Sequence, residues 1–456
     1  GAVVIFPAHM NRILRLSKDG VTVQPGVSIG TVQMALHTQG RVLAPFSSNH
    51  YSSTLGGAVA TNGGGGKSLK YGSVAAWVKR LKVVLDDGSI IETRRVSRRE
   101  VDRKKGIMTR EGDLYRGIDG ILQDHAGLIK ESQLDVGRNT AGYRLSEVRG
   151  SGGSIDLSQL FIGSEGTLGL ITEITLVTER YEPRTTLVAG YFDDAEAAGE
   201  AILRLLKLHP SRIEFVGQEL LDVLYAHQPQ LVAGVLPENS PHMVVMAEFD
   251  AVSHLRQNLL GRRAERLMGK LATGFHITTS RHEQSRLWEM RAAAMVILNS
   301  KQAPNRPVPI IDDVCVPVHK VSEFLVSTHK LLKKHKRTAA VWGHGNGVMH
   351  IVPYMNLAKS KDRAEAFKLM DEFYGTVIKM GGTTAAERGD GVVKGPYLER
   401  LYGREMADVL QQVKTLCDPN GIFNPEIKLG ANKTTQENLL RQEFSTGHPY
   451  DHLPHR

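Results

Sequence analysis

Between Val21 and Thr93 short apolar runs are separated by turns rich in glycine. The segments VTVQPGVS and VKRLKVVLDDGSIIET read as strands, with a helix near Val32–His37 between them. Asp87-Gly88 separates Lys82–Leu85 from Ile90–Thr93. Both positions tolerate positive φ, so a hairpin is expected there. Arg94–Gly112 is dense in charge, which predicts a loop or an exposed helix outside any core. The pattern changes at Glu182-Pro183, where a domain boundary is expected. TTLVAGYF, SRIEFVG and HMVVMAEF then read as strands, and DAEAAGEAILRLLKLH and ELLDVLYAH as helices. A strand near Ile310–Val316 and a helix near Val321–His335 precede the dense segment AVWGHGNGVMHIVPYM. The fold class is α+β. The expected domains are 1–182, 183–416, a short segment 417–430, and a polar tail 431–456 that is mobile or packed on the surface.

Composition narrows the function. A chain of 456 residues exceeds one ordinary core. With 41% hydrophobic and 23% charged residues it reads as a globular enzyme. Two cysteines, Cys315 and Cys417, exclude a disulfide framework and an iron–sulfur cluster. The net charge of +9 favours anionic substrates or surfaces. No basic stripe is interleaved with aromatics, so no nucleic acid is expected. The opening GAVVIFPAHMNRILRL lacks the pattern of a signal peptide, and no long apolar run suggests a membrane span.

Two glycine-bearing loops carry candidate chemistry. Thr54 to Gly66 and Gly163 to Gly169 let the backbone approach a ligand closely and offer successive amide donors. Neither matches the dinucleotide or Walker fingerprints. Tight loops in a β-rich domain would have the same composition. The order of these segments, with PGVSIGTVQMAL, RNTAGYRL and FIGSEGTLGLITEITL, resembles the FAD domain of the D-lactate dehydrogenase and glycolate oxidase subunit family, of the vanillyl-alcohol-oxidase (PCMH-type) superfamily.

That resemblance implies FAD and a PCMH-type domain with its second subdomain present and its first largely absent. An α/β cap domain with an antiparallel sheet covered by helices would follow. Carried over by motif, it implicates Pro25, Gly26, Val27, Pro45, Thr54, Gly56, Gly57, Thr61, Asn62, Ser68, Tyr71, Gly72, Glu165, Gly166, Gly169 and Ile171. DPNGIFNPEIK is similar to the family's return segment and adds Asn424; Lys428 matches only after a shift of one residue.

His344 and His350, with Glu387 further on, offer nitrogen and oxygen ligands suited to zinc or manganese. Unrelated histidines at such spacing are common in a chain holding eighteen. The resemblance makes all three metal ligands. Asn346 and Val348 depart from the family motif, and the turn between the histidines is one residue shorter, which shifts a ligand by about 3 Å. Arg388 stands where relatives carry a catalytic histidine. An arginine is no base near neutral pH, so it is expected to clamp a carboxylate. His350 is the alternative catalytic group. Arg291, in LWEMR, matches the substrate-carboxylate arginine.

The expected reaction is oxidation of D-lactate, glycolate or D-2-hydroxyglutarate to the 2-keto acid by hydride transfer to flavin N5. Two alternatives stand beside it: an altered homologue serving as a flavin-binding or subunit partner, and an alkylglycerone-phosphate-synthase-like flavoenzyme. The electron acceptor, whether quinone, flavoprotein or cytochrome, is not selected. A homodimer or a subunit of a complex is expected, in the cytoplasm or peripheral to the inner membrane.

Overall fold

The structure, a computed structural model, describes residues 9–45, 52–182, 184–250, 253–300 and 305–440. The expected boundary residue Pro183 and the end of the tail, 441–456, lie outside the described residues. The chain divides into two compact units. Unit 1 comprises Gly1–Asp135, Asn139–Tyr181 and Thr384–Thr435; unit 2 comprises Val136–Arg138, Glu182–Thr383 and Gln436–Arg456. On this division residues 384–416 pack with the first unit, whereas the sequence pattern placed them with the second.

Unit 1 is built on a five-stranded antiparallel sheet. Its strands are β1 (Ile13–Ser17), β2 (Gly20–Val23), β3 (Val78–Val84), β4 (Ile90–Thr93) and β5 (Leu170–Val177), in the order β1-β2-β5-β3-β4. The Asp87-Gly88 hairpin forms as expected, with Val84 opposite Ile90. Alternation sends Val21, Val23, Leu81, Val83, Ile174 and Leu176 into one core. Helix α1 (Ile29–His37) is capped by Ser28, whose Oγ accepts the Thr31 amide at 3.1 Å. A short helix α2 (Leu55–Ala60) follows.

The segment 94–112 departs from expectation. It forms α3 (Arg98–Lys105) and the start of α4 (Arg110–Asp124), and Val96 and Val101 are fully packed into the core. Its charges are held in local pairs, Arg98 with Asp102 and Lys104 with Glu111, which lets a polar helix lie on the core by one apolar stripe. In the tail, expected to be mobile or packed on the surface, residues 433–439 form a helix, and Thr435 is buried with its Oγ1 at 3.2 Å from Glu426 Oε1.

Unit 2 holds an eight-stranded sheet whose strand pairings among the described residues are antiparallel. The strands are β6 (Thr186–Phe192), β7 (Arg212–Gly217), β8 (Met243–Phe249), β9 (Gly274–Thr278), β10 (Arg306–Pro307), β11 (Val314–Cys315), β12 (Ala339–His344) and β13 (Val348–Met355). Their order is β9-β6-β8-β7-β12-β13-β10, with β11 paired to β13. Helices α5 (Ala195–Leu206), α6 (Gln218–His227), α7 (His254–Met268), α8 (Arg281–Ser300), α9 (Val321–Lys334) and α10 (Ser360–Lys379) accompany it. One face, carrying Leu187, Ala189, Val216, Val244, Met246, Ala340 and Trp342, packs against Leu220, Leu224, Leu287 and Met290 of α6 and α8. Largely apolar strands such as Thr186–Phe192 are buried on both faces, as covering by helices on each side requires. The antiparallel sheet covered by helices matches the expected cap domain.

Candidate active site

In unit 1 the backbone zips the implicated segments together. Leu55 N donates to Val27 O and Gly56 N to Pro25 O, at 3.0 and 2.8 Å. Thr54 caps α2, its Oγ1 accepting the Gly57 amide at 3.2 Å. The close approach that Gly56 permits is to its own chain, because a Cβ there would lie 2.6 Å from Pro25 Cβ. The two glycine loops meet directly: Gly163 N donates to Val59 O and Glu165 N to Ala60 O, at 2.9 and 2.8 Å. Asn62 Oδ1 accepts the Ala75 amide, Ser68 Oγ accepts that of Gly65, and the Tyr71 carbonyl accepts Trp77 Nε1. Gly72 takes φ of +69°, Gly169 packs against Val83, and Ile171 pairs with Val83 in the sheet. Pro25, Val27 and Pro45 are buried, Gly26 is half-buried, and Thr61 ends α2, donating its Oγ1 hydrogen to Gly57 O. Two loops with few side chains thus form one surface, which suits a flat ring system and its pyrophosphate.

Glu165 departs from a purely ligand-facing role. Its carboxylate accepts the amides of Asp390 and Gly391 at 2.7 and 2.9 Å, and Lys428 Nζ stands 3.0 Å from Oε1. Lys428, completely buried, also reaches Asp390 Oδ2 at 2.7 Å and the Thr140 carbonyl at 3.1 Å. Burial alone would lower the Lys428 pKa, yet the Asp390 and Glu165 carboxylates outweigh it and hold the pKa above the ordinary value. Burial pushes the Asp390 pKa up, with Lys428 opposing. Asn424 Nδ2 donates to the Glu165 carbonyl at 2.7 Å. Asn62, Glu165, Asn424, Glu426 and Lys428 all carry positive φ, five of the eight such non-glycine residues described. Strain gathered here marks a seam held by its surroundings. The seam fixes the segment that carries buried Glu387 and exposed Arg388.

In unit 2 the hairpin β12–β13 sets both histidines on one face. Trp342 lies opposite His350 and Glu214 opposite His344. The turn closes on Gly347, where φ of +91° and the Val316 carbonyl, 2.1 Å from any Cβ, leave room for glycine alone. The shortened turn therefore keeps the ligand pair: His344 and His350 offer ring nitrogens within 4.8 Å of each other. Their rings meet edge to face at 5.8 Å. His350 stacks on Trp342 at 5.0 Å, and its Nδ1 bonds Asp312 Oδ1 at 2.8 Å. A carboxylate at Nδ1 favours the tautomer that carries its proton there and orients the ring.

Beside them lies a second array. Glu214, buried, receives Arg212 Nε on Oε1 at 2.6 Å and Arg291 Nε on Oε2 at 2.7 Å, with His344 Nδ1 3.8 Å from Oε1. Burial would raise the Glu214 pKa, but Arg212, Arg291 and His344 overcome it and hold the pKa at about 2. Arg212 stacks on Trp288 at 3.5 Å and Arg291 lies 5.8 Å from the Trp342 ring centroid. Two guanidiniums share the Glu214 carboxylate, while Asp312 on His350 and buried Glu248, opposite Arg212 in the sheet, bring further carboxylates to the same region. Sequence reasoning reached Arg291, His344 and His350 but missed Arg212, Glu214 and Asp312. A glutamate in the middle of the apolar strand SRIEFVG was the available signal.

An antiparallel α+β unit with converging glycine loops, in one chain with a helix-covered antiparallel sheet, is the fold of PCMH-type proteins. It is similar to 4-ethylphenol oxidase from Gulosibacter chungangensis, with a TM-score of 0.63 and 15% identity over 93% of this chain and 79% of that one. It is likewise similar to p-cresol methylhydroxylase, at TM-score 0.62 and 14% identity over 92% and 78%. Residues 182–427 match the family of FAD linked oxidases, C-terminal domain, and residues 1–94 match the FAD binding domain. The chain belongs to the FAD-linked oxidases, and FAD is its cofactor. Among its relatives, the glycolate oxidase subunit GlcD of Bacillus subtilis is 27% identical over 93% of this chain and 79% of its own length. The D-2-hydroxyglutarate dehydrogenase of Escherichia coli is 25% identical over 93% of this chain. This chain spans 43% of that relative's length.

Proposed function

We propose that this chain oxidises a small 2-hydroxy acid, of the D-lactate, glycolate or D-2-hydroxyglutarate type, to the 2-keto acid. The observation that carries the reading is the half-buried guanidinium of Arg291, held by its Nε on Glu214 and set next to paired imidazoles. A guanidinium held in this way suits one anionic group, and a substrate carboxylate supplies it. The names of the relatives agree with this class of substrate.

Arg291 uses Nε on Glu214, which leaves its two terminal nitrogens for a carboxylate. Arg388, exposed on the loop after Glu387, adds a further cation for substrate binding. His344 and His350 form a nitrogen pair fit for zinc or manganese, with Glu387 as the third ligand that family resemblance implies. Such a metal would supply Lewis-acid polarisation of the hydroxyl group. Without it, His350, oriented by Asp312, is placed to accept the hydroxyl proton at Nε2. FAD, when bound, supplies the acceptor for the C2 hydride. Electrons then pass to an acceptor that is a quinone, a flavoprotein or a cytochrome, and the protein works as a homodimer or a subunit.

Anaerobic addition of D-lactate, glycolate or D-2-hydroxyglutarate to the FAD-loaded protein tests the reading. Bleaching of the flavin absorbance by at least one acid is expected, with metal analysis of the same sample reporting zinc or manganese. A yellow protein that none of the three bleaches would refute it.

A further inference from the structure

Helix α7 packs on the sheet of unit 2 through buried Gln257, Ala264 and Met268, with Gly261 lying over Thr186, Val188 and Ile277. Its outer side has a different character. At about 100° per residue, Leu255, Arg256, Leu259, Arg262, Arg263 and Arg266 fall within an arc of about 120°. All six are exposed, Leu255 by 82% and Leu259 by 49%. Lys270, exposed two residues beyond the helix end, continues the stripe. Glu265, the helix's only acidic residue, lies outside the arc.

These cations are not part of the local ion-pair traffic seen elsewhere on the molecule. Among the described residues, Arg256, Arg262, Arg263, Arg266 and Lys270 have no ion-pair partner. The charged helix α3 is the contrast, since Arg98, Lys104 and Lys105 each hold a carboxylate.

Unpaired cations surrounding exposed leucines require a partner with negative charge at its surface and an apolar phase just beneath. Arginine stems lie along such a boundary while their guanidiniums stay with the charged layer. We propose that α7 docks this protein on an anionic lipid surface, lying in the plane of the interface with Leu255 and Leu259 directed into it. The long axis of the helix then parallels the bilayer, consistent with the finding that no helix among the described residues is long and apolar enough to cross one.

The test is co-sedimentation of the purified protein with vesicles of phosphatidylcholine alone and of equimolar phosphatidylcholine and phosphatidylglycerol. The expected result is binding to the mixed vesicles only, released by raised salt. Each basic residue contributes about fivefold to partitioning, so R262Q/R263Q/R266Q is expected to weaken binding about a hundredfold. L255S/L259S is expected to weaken it about tenfold. Neither variant touches the packed side of α7, and unchanged thermal unfolding verifies that both fold. Equal binding to the two vesicle types, or variants that bind like the parent, would overturn the proposal. So would absent vesicle binding combined with self-association that L255S/L259S abolishes, which assigns the face to a second copy of the chain.

Discussion

Unit 1 and unit 2 each bury a cluster of charges, and the two clusters are balanced differently. Around Lys428 two carboxylates face one ammonium, and the amides of Gly142, Asp390 and Gly391 donate to the same two carboxylates. Around Glu214 one carboxylate faces two guanidiniums and an imidazole. A cluster that closes on itself fixes backbone, and here it fixes the loop bearing Glu387. One in which Arg291 meets its carboxylate through Nε and keeps its terminal nitrogens off Glu214 is suited to receive an outside group. Burial of charge by itself thus says little about role; which atoms the cluster takes up carries the information.

The comparison is broken most severely by Lys428→Met. Glu165 and Asp390 then face each other without a counter-charge, and a loss of about 3–5 kcal/mol in unfolding free energy is expected by chemical denaturation. An unchanged midpoint would mean that the seam does not depend on its ammonium. Glu214→Gln comes next. The folded pKa of about 2 lies below the ordinary 4.5, so the carboxylate's contribution, about 3 kcal/mol, is complete above pH 4.5 and is lost as pH falls toward 2. Stability of the variant measured against pH should be lower near neutrality and flatter over that acid range. A parallel displacement of the whole curve would contradict the assignment. Asp312→Asn sharpens the contrast from the ligand side. Weakening the orientation of His350 is expected to lower zinc or manganese affinity about 10–100-fold in a competition titration, with thermal stability nearly kept. Asn424→Ala, which removes one bond to the Glu165 carbonyl, is expected to cost about 1 kcal/mol by thermal unfolding, the smallest of the four effects.

Several of these features could be read from the chain. The Asp87-Gly88 hairpin, the strand Thr186–Phe192 and the helix Ala195–Leu206 follow from local alternation and from Asp194, which caps that helix at 2.7 Å from the Ala197 amide. The glycine loops also announced themselves, although Gly56 turns out to make room for Pro25. Other features were hidden. Val101 lies inside a run of charge, and a local average over Arg94–Gly112 conceals its single apolar stripe.

What the sequence determined by itself is periodicity, turn chemistry and the kinds of side chain on offer, because these depend on residues a few positions apart. Only the tertiary structure decided which charge meets which. Asp390 bonds Glu165 across 225 positions and Lys428 across 38, while Arg291 meets Glu214 across 77. Such partners are selected by sheet register and chain crossing, and Coulomb attraction in a dry interior depends on the distance reached, whatever the separation along the chain.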